Sequence, residues 1–324
     1  MKKGNPHEIS VGVVGLGLMG SSIVVALLLA GHRVVAIAPL PEDKNLGPKR
    51  INEYLAQCAQ SGMLAAAPAK YLAQLTVTDD YAQLADCRLV LECVIEKLDV
   101  KKSVFSKIAT YLATDAIIGS NTSAIPISTL QQYVPQPERF LGIHWAEPAY
   151  LTRFLEITCG QQTTPANAEW VLELAHHWGK EPTLLRKDVR GFITNRLMYA
   201  VYREIFHLIE NQKATLEDVD KAFRYDAGSW MTLMGIFRRM DYLGLADYAE
   251  MLKTAFPQLS TTDQVPALMQ RMVDTHARGV QNARGLYPYT EEEARQWEEA
   301  FALFNQDIYH LSSKYPVRPL GRNA

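Results

Sequence analysis

Ile9-Ser10-Val11-Gly12-Val13-Val14-Gly15-Leu16-Gly17-Leu18-Met19-Gly20-Ser21-Ser22-Ile23-Val24 is the stretch on which the reading of this chain turns. A valine-rich apolar run stops at Gly15, glycines stand at positions 15, 17 and 20, and a helix-like run continues to Ala30. This is GxGxxG set between a predicted strand and a predicted helix. The first glycine permits a tight turn, the second lets the backbone approach a pyrophosphate, and the third lets helix and strand pack closely. The helix that follows offers its free N–H groups and the positive end of its dipole to phosphate oxygens. Such a motif in isolation could be a ligand-free glycine turn; its place after a strand and before a helix makes it a dinucleotide-binding turn.

The same segment carries no charge from Ile9 to Gly31, and Lys2 and Lys3 precede it. A membrane span or a signal peptide is the competing reading. The interrupting glycines, and the change from β-branched to helix-like residues, favour strand, turn and buried helix instead.

Outward from the turn, short apolar runs alternate with helical stretches. Strands are predicted over residues 9–15, 34–38, 75–78, 89–94, 116–119, 140–144, 154–158 and 183–185, and helices over 18–30, 48–67 (broken near Gly62), 98–112 and 165–179. Continuously apolar strands fit a sheet covered on both faces, so the fold class is α/β, a Rossmann doubly wound and mostly parallel sheet. After Arg190 the pattern is helical throughout, over residues 192–210, 216–223, 233–253, 265–281 and 290–314, with Thr215 as an N-cap. The expected domains are a Rossmann dinucleotide-binding domain over 1–188 and an all-helical substrate and dimerisation domain over 189–324.

Length fits two domains, and 324 residues with 48% hydrophobic and 21% charged residues exclude a disordered chain. A formal charge of −2 with scattered Lys and Arg excludes a nucleic-acid partner. Cys58, Cys87, Cys93 and Cys159 have no CxxC spacing and no histidine cluster beside them. They read as reduced thiols of a cytoplasmic protein with no metal site. At the end of the second strand, where an acid would hold the ribose 2′-hydroxyl of NAD, the chain has Ala38, Pro39 and Leu40. Glu42 and Asp43 lie beyond Pro41, and Lys44, Lys49 and Arg50 follow. NAD is the expected cofactor, with NADP left open.

Further segments carry chemistry: Leu91-Glu92-Cys93-Val94-Ile95-Glu96, Ser120-Asn121-Thr122-Ser123, Ile143-His144-Trp145-Ala146-Glu147-Pro148, Phe154-Leu155-Glu156-Ile157 and Gly191-Phe192-Ile193-Thr194-Asn195-Arg196-Leu197. Imidazole titrates near neutral pH, so His144 suits a general base, and Glu156 in the next strand can orient the ring and stabilise its cation. A strand-end histidine is more often structural, but a carboxylate in an apolar strand needs a partner. Ser123 and Asn195 can hydrogen-bond a reacting oxygen; the duller readings are capping of the segment before Pro126 and of a helix N-terminus.

Taken in order from the glycine turn to Gly285-Leu286-Tyr287-Pro288-Tyr289, these segments resemble the L-3-hydroxyacyl-CoA dehydrogenase family, whose superfamily includes L-gulonate and carnitine 3-dehydrogenases. The resemblance implies hydride transfer between a nicotinamide cofactor and the 3-hydroxyl of a 3-hydroxyacyl-CoA or related free acid, in reactions such as those of fatty acid metabolism. It implies a homodimer through the helical domain, a small-molecule substrate and no membrane. His144, Glu156, Ser123 and Asn195 would be catalytic, and Gly15, Gly17, Leu18, Met19, Gly20, Glu92, Glu96 and Asn121 would line the cofactor. For Glu96 the alternative is a solvated pair with Lys97 opening the next helix.

The pattern also departs from the family. Glu147 stands where the family has asparagine, and could raise the histidine pKa or meet a cationic or hydroxyl-rich substrate. Arg190 replaces a proline before Gly191-Phe192. Arg153 could pair with a substrate carboxylate or simply with a surface acid. The stretch from Thr290 to Tyr315 exceeds the compact acyl-CoA enzymes and looks closer to the gulonate-type branch. Ala38 and Glu147 also leave room for a second class, a non-catalytic dinucleotide-binding protein of the crystallin-like or sensor kind. Phe192, Leu197, Tyr199, Ile205 and Leu208 supply one predicted helix with more apolar surface than a monomer buries, which points to a symmetric dimer.

Overall fold

The structure is a computed structural model describing residues 8–315, apart from the side chains of residues 294, 295, 298, 299, 302, 306, 309, 312 and 313. Lys2 and Lys3, which framed the signal-peptide alternative, lie outside the described residues. The chain divides into two compact units, Met1–Thr194 and Asn195–Ala324.

The first unit begins with β1 (Ser10–Val14), α1 (Leu18–Leu29) and β2 (Arg33–Ile37), the strand-turn-helix-strand order that the glycine turn requires. There follow α2 (Pro41–Gln60), α3 (Pro68–Leu72), β3 (Leu75–Thr78), β4 (Cys87–Glu92), α4 (Leu98–Tyr111) and β5 (Ile117–Ser120). The remainder is α5 (Ile127–Gln131), β6 (Phe140–Trp145), β7 (Phe154–Cys159), α6 (Pro165–His177) and β8 (Glu181–Leu185). The eight strands form one sheet in the order β3-β2-β1-β4-β5-β6-β7-β8. Every neighbouring pair is parallel except β6 and β7, which run antiparallel. The order reverses between β1 and β4, and the loops at the strand C-terminal ends there form the switch point where ligands of such sheets bind.

Both faces of the sheet are covered, which explains the continuously apolar strands. One core joins Val11 and Val13 of β1 to Ile23, Val24 and Leu27 of α1, Leu55 of α2 and Trp170 and Leu174 of α6. The other joins Val14 and Val90 to Val104, Phe105 and Ile108 of α4 and Leu130 of α5. The charge-free segment is accounted for: α1 is buried from Gly20 through Leu28, as a helix wedged against a sheet must be. No helix among the described residues is long and apolar enough to cross a membrane.

Two boundaries differ from the sequence reading. α2 starts at Pro41, a good first helical residue, and carries Pro48 in its interior instead of beginning there. It ends at Gln60, and a separate short helix, α3, follows.

The second unit is helical: α7 (Thr194–Glu210), α8 (Leu216–Ala222), α9 (Gly228–Met234), α10 (Ile236–Leu243), α11 (Leu245–Ala255), α12 (Ala267–Asp274) and α13 (Glu291–Lys314). Thr215 and Thr290 each close a capping box, with Asp218 and Glu293. The single helix expected over 233–253 is cut at Gly235 and Gly244, whose φ angles of 75° and 108° only glycine adopts without strain. Phe192 is not on α7; it lies buried in the first unit.

Candidate active site

The glycine turn closes β1 onto α1 as its spacing demands. Gly15 has φ 97°, and a Cβ there would stand 2.9 Å from the Cys93 carbonyl oxygen. At Gly20 a Cβ would stand 1.8 Å from the Gly15 carbonyl oxygen, so helix and turn approach closer than any side chain permits. A Cβ on Gly17 would meet nothing within 4 Å, which leaves that stretch of backbone facing open space. The first intrahelical bond of α1 runs from the Ser21 N–H to the Gly17 carbonyl, so the N–H groups of Leu18, Met19 and Gly20 precede the ladder. The first turn of α1 carries no acid to compete for them. Open backbone, early helix N–H groups and the lack of an acid within the first turn of α1 fit a dinucleotide pyrophosphate.

At the ends of β4 and β5 lies a buried ionic cluster. Glu92, with no exposed surface, accepts from Lys101 Nζ at 2.8 and 2.9 Å, from Ser120 Oγ at 2.6 Å and from the Val94 N–H at 2.8 Å. Its carboxylate is therefore occupied and sealed by protein groups. Glu96 is the accessible acid of the pair, with its side chain 38% exposed. It accepts from Thr122 Oγ1 and from the Ser123 and Ala124 N–H groups at 3.1 Å each, and pairs with Lys101 Nζ at 3.1 Å. Burial pushes the Glu96 carboxyl up, but Thr122, Lys101 and Ala124 outweigh it and hold the group below its ordinary value. The partner of Glu96 is Lys101, one helical turn beyond the Lys97 that the sequence suggested. Asn121 accepts the Trp145 N–H at 2.9 Å and so ties the end of β5 to the end of β6.

His144 and Glu156 are directly opposed residues of the antiparallel pair β6 and β7. Cross-strand partners share a face of the sheet, so their side chains meet. His144 Nδ1 is 3.5 Å from Glu156 Oε2, and His144 Nε2 is 3.1 Å from Ser123 Oγ. Glu156 is 1% exposed, and its other oxygen accepts the Ile193 N–H at 2.8 Å. As an acceptor, Glu156 selects the tautomer with the proton on Nδ1, which turns the Nε2 lone pair toward Ser123. Phe192, in the positive-φ turn after Gly191, packs 5.9 Å from the imidazole centroid and shields that side. The Gly191-Phe192-Ile193 segment thus supplies the ring's wall and the anchor of its acid. Sequence reasoning missed these two contacts together with Lys101. Asn195, in the first turn of α7, belongs to the second unit.

The loop after His144 is held from beneath. Ser22 Oγ of α1 accepts the Ala149 N–H at 2.7 Å. Lys180, 5% exposed, donates to the Ala149 and Thr152 carbonyls at 2.6 and 2.5 Å, with its ammonium 5.4 Å from the Trp145 ring centroid. Burial, with Arg153 adding in the same direction, pushes the Lys180 amine down to about 8. The unfolded chain, with an ordinary lysine near 10.4, therefore keeps this proton over a window where the folded chain has released it, and stability rises with pH across that window. Denaturant unfolding of wild type and Lys180→Met between pH 8 and 10.5 should show the wild type gaining up to about 3 kcal/mol on the variant. Parallel curves would mean that the amine titrates like a solvated lysine.

Glu147 is exposed and sits in the field of Tyr54 and Tyr150, whose phenols burial raises first and its charge raises further. Arg153 pairs with Glu181 at 2.5 Å across the β7–β8 edge, which is the surface-acid reading of that arginine. Burial pushes the thiols of Cys58 and Cys87 up to about 12, so both are unreactive core groups.

Residues 10–189 match the 3-hydroxyacyl-CoA dehydrogenase NAD binding domain, and residues 191–289 match the C-terminal domain of the same enzyme. A 5-formyl-3-hydroxy-2-methylpyridine 4-carboxylate 5-dehydrogenase of Mesorhizobium japonicum is 28% identical over 88% of this chain and 92% of its own. A 3-hydroxybutyryl-CoA dehydrogenase of Mycobacterium tuberculosis is 31% identical over 86% and 98%. Among solved structures, a 5-formyl-3-hydroxy-2-methylpyridine 4-carboxylic acid 5-dehydrogenase, described as an NAD+ dependent dismutase, superposes with TM-score 0.87 at 26% identity, covering 95% of this chain and 99% of its own. The (S)-3-hydroxybutyryl-CoA dehydrogenase of Ralstonia eutropha superposes with TM-score 0.73 at 27% identity, over 87% and 99%. With the nicotinamide-binding half and the helical half both matched in order, the chain belongs to the 3-hydroxyacyl-CoA dehydrogenase family and is an NAD-dependent oxidoreductase of that type.

Proposed function

We propose that the chain interconverts a secondary 3-hydroxyl group and the corresponding ketone, with His144 as general base and acid. The observation that carries this reading is the chain of contacts Ser123 Oγ, His144 Nε2, His144 Nδ1 and Glu156 Oε2 at the end of two paired strands. Bound NAD+ supplies the hydride acceptor. The Gly15–Gly20 turn, with Gly17, Leu18 and Met19, would hold its pyrophosphate, and Glu96 beside Asn121 would face the nicotinamide-side ribose. In the oxidative direction His144 Nε2 takes the hydroxyl proton, and in reduction it returns it. Glu156 keeps the opposite nitrogen protonated and compensates the imidazolium while Nε2 carries the extra proton. Ser123 Oγ orients the reacting oxygen. Turnover followed by nicotinamide absorbance, on a panel of 3-hydroxyacyl-CoA thioesters and free 3-hydroxy acids, tests the reaction class. NADH binding without turnover on any member of the panel would instead favour the non-catalytic reading.

A second reading concerns the substrate. The chain superposes more fully on the pyridine-carboxylate dehydrogenase than on the hydroxybutyryl-CoA enzyme, 95% against 87% of its length. That favours a small free carboxylic acid bearing an alcohol or aldehyde over a CoA thioester. The panel therefore includes a hydroxymethyl and a formyl aromatic acid.

We also propose that the helical unit forms a homodimer. It is supported by the unit's lack of an interior: among the described residues of α7 through α12 no side chain is buried, and Leu197, Tyr199 and Phe237 are 53%, 53% and 81% exposed. A helical domain is stable only when its apolar stripes are covered, and a second copy supplies the matching stripes by symmetry. Sedimentation at micromolar concentration should give twice the chain mass; a monomer at all concentrations overturns the proposal.

A further inference from the structure

The adenosine end of the cofactor lacks its expected acid, since Ala38, 2% exposed, stands directly after β2 and offers only a methyl group. The next helix restores what the strand lost. Asp43, Gly47 and Arg50 of α2 recur at helical spacing, so they share one face. That face lies on Leu16, the residue between the first two glycines of the turn. A Cβ on Gly47 would stand 2.7 Å from the Leu16 Cβ, and Arg50 donates to the Leu16 carbonyl at 3.1 Å. Asp43 stands one turn nearer the helix start on that same face, where the Leu16 backbone N–H draws its carboxyl pKa down. Helix and glycine turn are thus held together by a glycine contact and a guanidinium on the Leu16 C=O, with the Asp43 carboxylate one turn away on the same face.

Resting on the dinucleotide reading above, we propose that Asp43 is the ribose-recognising carboxylate of this chain and the residue that selects NAD over NADP. In sheets of this type the adenosine ribose lies between the pyrophosphate turn and the end of the second strand. A carboxylate on the α2 face that packs on Leu16 stands at that junction, although it arrives from the helix instead of the strand. It can accept hydrogen bonds from a 2′-hydroxyl, whereas a 2′-phosphate would bring two like charges together. Burial raises the Asp43 carboxyl, while the Leu16 N–H and Arg50 pull it back and Glu42 opposes them. Two of the nearby cations are already engaged. Lys44 is paired with Asp79 at 3.0 Å, and Arg50 is already bonded to Leu16. The shallow cleft at the ends of β2 and β3 is lined by two acids, Asp79 and Asp80, against one cation, Lys107.

Binding of NADH and of NADPH, each titrated by intrinsic fluorescence without substrate, tests this on wild type, Asp43→Asn and the control Glu42→Gln. Wild type and Glu42→Gln should prefer NADH. Asp43→Asn should bind NADH roughly tenfold or more weakly, the loss of a charged hydrogen bond, and bind NADPH no worse than wild type. Circular dichroism checks that Asp43→Asn is folded; in the folded variant an unchanged ratio, or equal weakening of both cofactors, overturns the proposal, while NADH binding by wild type keeps the dinucleotide reading. Wild type preferring NADPH overturns it too and assigns Arg50 to a phosphate. Wild type binding neither cofactor overturns both the proposal and the reading beneath it.

Discussion

On the proposed mechanism, His144→Gln should lower kcat for hydroxyl oxidation by roughly 10²–10⁴-fold, the contribution of a positioned general base, while NADH binding should stay at the wild-type level. Binding is spared because the imidazole touches Ser123, Glu156 and Phe192 and no part of the glycine turn. Glutamine keeps the volume and can still meet Ser123, so the loss reports the proton and not the packing. The same reasoning fixes the result for Glu156→Gln. Its amide oxygen can retain the Ile193 N–H, so the strand pair stays in register, but no carboxylate remains to hold the Nδ1 proton or to compensate the imidazolium. Activity should again fall by about 10²–10⁴-fold, and the double variant should be little worse than either single one, because the two groups act as a unit. Additive losses would show that the two residues serve separate steps. Full activity in His144→Gln would remove the base assignment altogether. Pre-steady-state mixing distinguishes these cases from slow product release, since only loss of the base suppresses the first turnover.

The glycine turn and the His144–Glu156 pair were legible in the sequence for different physical reasons. Each glycine of the turn is demanded by backbone geometry that other residues cannot adopt or fit, so its spacing carries structure directly. The histidine and glutamate were legible because consecutive strands tend to pair, and an antiparallel register opposed them. Lys101 was not legible. A lysine in the first turns of a predicted helix looks like any solvated lysine, and only the fold shows it pointing back beneath β4 with 1% of its side chain exposed. Phe192 was assigned to the wrong element because its apolar character continues the stripe of α7. The left-handed turn at Gly191 and Phe192 separates them instead. The breaks at Gly235 and Gly244 were hidden because an isolated glycine inside a helical pattern is often tolerated. Asp43 was visible in the sequence only as an acid beyond Pro41, because the fingerprint looks for its acid at a strand end; only the fold puts it on the α2 face that packs on the glycine turn.

The buried pair that the sequence concealed carries the largest expected effect on stability. Lys101→Met keeps the helix and most of the side-chain volume but leaves Glu92 without the ammonium that meets both of its oxygens, at 2.8 and 2.9 Å. Ser120 and the Val94 N–H remain, yet two neutral donors do not compensate a carboxylate with no exposed surface. Breaking a buried ion pair from one side costs about 3–5 kcal/mol, because a charge is stranded in the interior. Glu92→Gln/Lys101→Met removes that charge as well and should recover more than half of the loss, since a neutral amide keeps bonds to Ser120 and Val94 while methionine fills the lysine's space. A double-mutant cycle by denaturant unfolding separates the terms. If the double variant is as unstable as Lys101→Met, the lysine's weight lies in its packed methylenes or in its bond to Glu96, and the ionic account of this cluster fails. If it recovers, the cluster is the brace that fixes the ends of β4 and β5, and with them Glu96, Asn121 and Ser123, beside His144. Glu96 tells the two roles apart functionally, because it loses one partner in both variants but keeps Thr122 and the Ser123 and Ala124 N–H groups. NADH affinity should therefore fall by a similar factor in single and double variants even as stability returns in the second.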